Sequence, residues 1–325
     1  MVAGRWLSKC KYELLIFTAL AAQFAVSVDW SQPVREKFLT FYVPDYHIGF
    51  TSHALLGSLL GLFTPVLTRR LLLMFIIASF ALAYALTAVL LGRLVRRVPE
   101  PYKIITIYIV VLFVFSAYSV NMFTKYIGMP DIYMYIFTLL ALLCAGGRFL
   151  RWSVPLWCVL GLATHYGFAL TFMPIIAVVI VYDWARENAS KAASVRAGIS
   201  ATMMAAGSVY FIFFAQKTVR MTPEQAESYL TAKVADFPLW KLYYEAHLFF
   251  SEEGQTYSGI FDVLRRVSES GSGSFRSAEL AVMVLFMVPL LAVFGAVWVL
   301  AMRERKSRVS KLPYLCCLCM PLVYL

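Results

Sequence analysis

The stretch YVPDYHIGFTSHALLGSLLGLFTP, Tyr42 to Pro65, decides the architecture. It opens with Asp45 and His47, continues as about twenty mostly apolar residues studded with small ones, and stops at Pro65 ahead of Arg69 and Arg70. Whether it crosses a membrane or enters and returns sets the side on which every later polar residue lies. The rest of the chain makes a membrane the relevant solvent. Of its 325 residues 61% are hydrophobic and 14% charged, whereas a soluble globule needs about a quarter of its residues charged. Apolar runs near the length that a ~30 Å hydrocarbon core demands recur at 13–28, 71–92, 104–122, 131–146, 197–215 and 279–302. The fold class they predict is all-α, a polytopic transmembrane helix bundle. The first run follows Arg5, Lys9 and Lys11, as in a signal peptide, but it ends at Val28-Asp29-Trp30 with no small-residue cleavage site, and is read as a retained helix.

Charge distribution answers the opening question. With the N-terminus inside, a spanning Ile48–Thr68 would send Arg93, Arg96, Arg97 and Lys103 outside, against the positive-inside bias. A re-entrant or interfacial helix there returns those residues, and Arg148 and Arg151, to the inner side. A second ambiguity lies in Ser153 to Trp184, which as one straight helix would be roughly 48 Å long, well beyond the hydrocarbon core. Two short helices turning near Thr164-His165-Tyr166-Gly167 bring Arg186, Lys191 and Arg196 back inside. The turn then needs protein or a wet cavity around it. This organisation divides the chain into a transmembrane module, 1–215, an outer loop with amphipathic and aromatic helices, 216–278, and a C-terminal membrane segment, 279–325. The final run PYLCCLCMPLVYL is too short to cross, which predicts a half-inserted end or a fragment.

The net charge of +11 is accounted for by topology signals between spans, so nucleic acid is not an expected partner. The six cysteines show no metal-ligand spacing. Cys144 and Cys158 lie in apolar helices; Cys316, Cys317 and Cys319 are packing residues or palmitoylation candidates.

On this topology all four histidines, His47, His53, His165 and His247, fall on the outer face. Asp29, Asp45 and His47 share the first outer connection with Trp30, Phe41 and Tyr46, aromatic residues suited to the headgroup zone. Gly57 and Gly61 stand at GxxxG spacing, which permits close helix packing. Asp131 opens the helix DIYMYIFTLLALL, where the helix dipole favours a carboxylate; the functional reading has it facing Asp29 or Asp45 across an outer cavity. His165 sits midway along an apolar stretch, and an ionisable residue there is a functional candidate by default. Thr222-Pro223-Glu224-Gln225 predicts a capped helix start. It leads to FPLWKLYYEAHLFF, residues 237–250, in which Trp240, Tyr243, Tyr244, His247 and Phe250 suggest a lid on the interface, by anchoring or by sugar stacking.

The run IGMPDIYMYIFTLLALLCAGGRFLRWSVPLWCVLGLATHYGFALTFMPII, residues 127–176, resembles the central part of the GT-C superfamily of membrane glycosyltransferases and related bacterial polysaccharide polymerases. There an acidic residue opens a helix, a short basic turn follows, and a Gly-rich span gives way to a polar residue and a second apolar arm containing proline. The acidic first connection is similar in placement to the acidic loop of that superfamily, although Asp29-Trp30 and a lone Asp45 replace its usual tight acidic pair. The resemblance covers about the first 180 residues and implies a multi-pass integral protein of a bacterial inner or plasma membrane. Such an enzyme would move a sugar from a polyprenyl-phosphate-linked donor to a glycan acceptor on the outer face, in surface-polysaccharide or glycoconjugate assembly. It implies Asp45 as the general base, with Asp29 and Asp131 as alternates, and Asp29 and Asp45 as ligands of a divalent metal such as Mg or Mn. Arg69 and Arg70 are the candidate phosphate contacts; His165, His47, Trp240 and Tyr244 are candidates for binding the sugars. A small-solute or lipid-linked-glycan transporter, or a non-catalytic assembly protein, is the alternative. The near absence of ionisable groups from the predicted spans argues against proton coupling.

Overall fold

The computed structural model describes residues 10–115, 127–145, 147, 149–187, 190–241, 244 and 248. Helices supply its regular structure, and among the described residues the sole β feature is an isolated parallel bridge between Leu67 and Val234. The fold is therefore all-α. Two compact units are distinguished: residues 10–168 with 203–248, and residues 169–202.

In the first unit the helices are α1 (Lys11–Ser27), α2 (Glu36–Leu39), α3 (Leu55–Gly61), α4 (Arg69–Arg97), α5 (Glu100–Val114), α6 (Asp131–Ala145) and α7 (Val154–Thr164). α4 lies against α1 on one side and α6 on the other, and α6 packs in turn on α7. α1 presents Ile16, Leu20 and Phe24, residues four apart and so on one face. Phe24 meets the rings of Phe80 and Tyr84 on α4 at 5.4 and 5.9 Å. Thr68 caps α4 by accepting the Leu71 N–H at 3.2 Å. Between α4 and α6 two polar rungs cross the apolar seam, Ser79 with the Tyr133 hydroxyl at 3.1 Å and Thr87 with the Tyr135 hydroxyl at 2.8 Å. Near the far end of α4, Glu13 of α1 lies over Gly92 and pairs with Arg96.

Helices α8 (Phe168–Thr171), α9 (Met173–Arg186) and α10 (Lys191–Val209) follow. α10 runs directly into a π-helical turn, Tyr210–Phe214, and a 3₁₀ turn, Ala215–Thr218. Within the second unit, Arg196 pairs with Glu187 at 3.0 Å and the Trp184 indole donates to Ser194 at 3.0 Å. α11 (Pro223–Ala232) starts at the expected Thr222: Thr222 Oγ1 accepts the Gln225 N–H at 3.3 Å and Gln225 Oε1 accepts the Thr222 N–H at 3.0 Å.

Among the described residues, two helical runs are long and apolar enough to cross a membrane: Arg69–Arg97, 29 residues, and Lys191–Phe214, 24 residues. This is fewer than the runs of apolar sequence suggest. α1, at 17 residues, and α5 and α6, at 15 each, stop short of the ~20 that a crossing asks for. α1 and α6 cover their apolar runs almost to the end, and it is those runs that fall short of a crossing: Val28 is already extended and Asp29 opens a turn where the first run stops. The Ile48–Thr68 stretch is helical over the seven residues of α3 alone, roughly 10 Å at 1.5 Å per residue. The Ser153–Trp184 stretch is broken at His165, whose backbone is extended (φ −159°, ψ 127°) between α7 and α8. The expected span at 279–302, the Ser/Gly tract, the terminal cysteine run, Tyr243, His247 and Phe250 lie outside the described residues.

Candidate functional site

Residues 43–54 form an irregular segment in an otherwise helical unit. Val43, Ile48, Thr51, Ser52 and Ala54 are fully buried and His53 is nearly so. Backbone of this kind needs external partners for its polar groups, and these come from several elements. Ser58 of α3 accepts the Tyr46 N–H at 2.9 Å and donates to Ala54 O at 2.7 Å. The Arg220 N–H reaches Ile48 O at 3.0 Å, and the Tyr210 hydroxyl, on the π turn, points at Phe50 O. Gly57 lies directly under the Pro44 carbonyl, where a Cβ would collide with its oxygen, and Gly49 faces the Thr218 carbonyl less closely, a Cβ there standing 2.8 Å from its oxygen.

A strap from Thr218 to Trp240 lies along this segment. Leu67 N–H donates to Lys233 O at 2.7 Å, Ala235 N–H to Leu67 O at 3.1 Å, Arg69 N–H to Asp236 Oδ1 at 2.7 Å, and Trp240 N–H to Thr40 Oγ1 at 3.1 Å. The strap delivers Tyr229 and Lys233, one turn apart on α11, to Asp45. Lys233 Nζ bonds Asp45 Oδ2 at 2.6 Å and Val43 O at 3.1 Å; the Tyr229 hydroxyl donates to the same Oδ2 at 2.8 Å; the His47 N–H donates to Oδ1 at 3.0 Å. The ion pair is shielded, with the Lys233 and Asp45 side chains 9% and 14% exposed. Burial alone would raise the Asp45 carboxyl, but the bonds from Lys233 and Tyr229, the Lys233 charge and the His47 amide together hold it below the usual carboxylate range. Burial, and then the bond to Asp45, push the Tyr229 phenol up to about 12. The His47 ring stacks on that of Tyr229 at 5.9 Å.

The other end of the segment holds a second polar group. His53 meets His165 edge-on at 4.7 Å, and both rings touch Tyr166. His165 is set by the helix break: its N–H caps α7 through Gly161 O at 3.0 Å, and its Nδ1 accepts the Gly167 N–H at 2.9 Å. An accepting Nδ1 leaves the proton on Nε2 in the neutral ring. Thr51 Oγ1 and Ser52 Oγ are buried with no hydrogen-bond partner among the described residues, an unmet capacity in so enclosed a place.

The expected site residues therefore divide. Asp45 and His47 share one cluster at one end of the 43–54 segment, and His165, from the end of α7, joins the other through His53. Asp131 is half-buried at the start of α6, close enough to Tyr42 for its charge to be felt there. Asp29 is engaged locally: the Ser31 hydroxyl and amide, at 2.6 and 3.0 Å, close a turn on Oδ1 and lower its pKa. Arg69 is paired with Glu36 at 3.1 Å, whereas Arg70 is exposed and without a partner among the described residues. Trp240 is 46% exposed and Tyr244 is 2% exposed within the hydrophobic core, a poor position for stacking on a sugar. Among the described residues no group of three or more His, Cys, Asp or Glu side chains could hold a metal ion, and Lys233 takes the side of Asp45 that a cation would need. Sequence reasoning missed Lys233, Tyr229, Thr51 and Ser52. Only the polar interruption Thr51-Ser52-His53 of an apolar run signalled part of this set. No protein family, curated protein or solved structure matches the chain.

Proposed function

We propose that the protein is a multi-pass membrane glycosyltransferase that moves a sugar from a polyprenyl-phosphate-linked donor to a glycan hydroxyl at the Asp45 end of the 43–54 segment. The observation that carries this reading is the buried, irregular, polar segment itself. Non-helical backbone at membrane depth is tolerated where it is enclosed by protein or lines a wet cavity, and this one gathers an acid, an ammonium and three imidazoles. The two membrane-length helices and the apolar composition supply the setting.

The Tyr229 phenol stands where an acceptor hydroxyl would bond Asp45 Oδ2. In the reaction the acceptor oxygen attacks the anomeric carbon, the bond from that carbon to the phosphate oxygen breaks, and the acceptor proton passes to Asp45. The leaving group is the polyprenyl phosphate. Lys233 keeps the carboxylate ionised and offsets charge on the departing phosphate; Arg70, exposed in the first turn of α4 and three residues beyond the Leu67–Val234 bridge, is the second cation for that phosphate. His53, His165 and the unpartnered Thr51 and Ser52 hydroxyls offer hydrogen bonds to sugar hydroxyls.

A second reading, a carrier or assembly protein in which Asp45 and Lys233 form a structural clasp, is favoured by the engagement of both Asp45 oxygens by the chain's own donors. Transfer of radiolabelled sugar from a lipid-linked donor, in membranes holding equal amounts of each protein, separates the two. A base is worth about 10²- to 10⁴-fold, so the double variant Asp45→Asn/Lys233→Met, which removes both charges together, is expected to lose at least about 100-fold. Wild-type transfer by that variant would overturn the enzyme reading in favour of the clasp.

A further inference from the structure

Far from Asp45, the C-terminal ends of α4 and α6 enclose a cleft of about 400 Å³, lined by Leu90, Leu94, Leu142 and Leu143, by Gly147 and Leu150, and by Arg93 and Arg97. The α4 residues Leu90, Arg93, Leu94 and Arg97 fall at i, i+3, i+4 and i+7, a single stripe. Arg93 and Arg97 are thus a turn apart beside leucine side chains, of which Leu94 and Leu150 are 48% and 60% exposed. Neither guanidinium has an ion-pair or hydrogen-bond partner among the described residues, while Arg96, on another face of the same turn, is matched by Glu13. A basic residue in the last turn complements the helix dipole and marks the inner side of a membrane; here two of them, both exposed, also border a leucine-lined hollow.

We propose that this cleft binds an anionic glycerophospholipid, its phosphate bridged by Arg93 and Arg97 and an acyl chain laid over Leu90, Leu94, Leu142 and Leu143. The inference rests on the membrane reading above. Arginine forks match phosphate oxygens in pairs, and basic hollows between membrane helices take acidic headgroups. Arg70 and Arg93 are 23 residues apart on α4, roughly 35 Å at 1.5 Å per residue. The lipid is therefore at the opposite end of α4 from the segment that would take the donor.

The test uses the full chain in nanodiscs of phosphatidylcholine alone or with an equal amount of phosphatidylglycerol, with retained lipid counted by native mass spectrometry. Two guanidiniums give an expected preference for phosphatidylglycerol of roughly thirty-fold. Arg93→Gln/Arg97→Gln is expected to abolish it and Arg70→Gln to leave it intact. Equal retention of the two lipids, an unchanged preference in the double variant, or displacement by inorganic phosphate alone would each overturn the proposal. Carbonate extraction of the expressed protein keeps the two levels apart. A chain released from membranes refutes the membrane reading and this inference with it, whereas a chain retained in membranes without lipid preference refutes this inference alone.

Discussion

Separating Asp45 from Lys233 is the sharpest perturbation available. Both side chains are almost entirely shielded and meet at 2.6 Å, so removing one charge strands the other in a medium that solvates it poorly. Such losses run at about 3–5 kcal/mol. The lower end applies here, because each survivor keeps some company: Lys233 retains Val43 O at 3.1 Å, and Asp45 retains the Tyr229 hydroxyl at 2.8 Å and the His47 N–H at 3.0 Å. Asp45→Asn and Lys233→Met are thus expected to cost about 3 kcal/mol each. Removing both strands no charge and is expected to cost only about 1 kcal/mol, well under either single variant, so the coupling energy is about 5 kcal/mol in magnitude. Unfolding of the four proteins in mixed micelles, with equilibrium reversibility checked for each, gives the cycle directly. Single variants costing under ~1 kcal/mol, the range of exposed pairs, or additive losses in the double variant, would refute the shielded-pair argument.

The carboxyl of Asp45 lies below its ordinary value of about 3.9 in the folded protein, so its stabilisation is complete above that value and fades as pH falls through the lower folded pKa. Wild-type stability is therefore expected to drop below about pH 4 more steeply than that of Asp45→Asn/Lys233→Met, and parallel acid profiles would contradict this. A methyl at Gly161 would come within 2.6 Å of the ring of Phe168, which is fully buried. Gly161→Ala should lose about 1–2 kcal/mol despite its gain in helix propensity, and recover in a Phe168→Leu background when melting is followed by circular dichroism. Thr222→Ala removes the cap of α11 at a cost of about 1 kcal/mol; hydrogen exchange should quicken in α11, while α4 and α6 stay as protected as before.

What the chain reveals before folding is local. The Thr222-Pro223-Glu224-Gln225 start is readable because every partner lies within four residues, and the break at His165 is readable because one helix from Ser153 to Trp184 would be too long. Helix starts are less so, since α1, α4 and α5 begin at Lys11, Arg69 and Glu100, ahead of the apolar runs that announce them. The bond between Asp45 and Lys233 spans 188 residues with no period to announce it. Asp29 drew attention as a lone acid at the end of a helix, yet Asp29-Trp30-Ser31 is also the pattern of a side-chain turn, which is how it is used. Tyr244 lay among aromatic residues read as a surface lid, and its burial depends on which face of that stretch meets the core.

The close pass of Pro44 over Gly57 makes the ion pair answerable to a residue outside it. A hydrogen is the largest substituent that position 57 admits, because the carbonyl above it belongs to the residue just before Asp45. Any larger group would push that carbonyl, and with it the backbone that carries Asp45, away from α3, so the grip of Asp45 on Lys233 depends on a residue that touches neither of them.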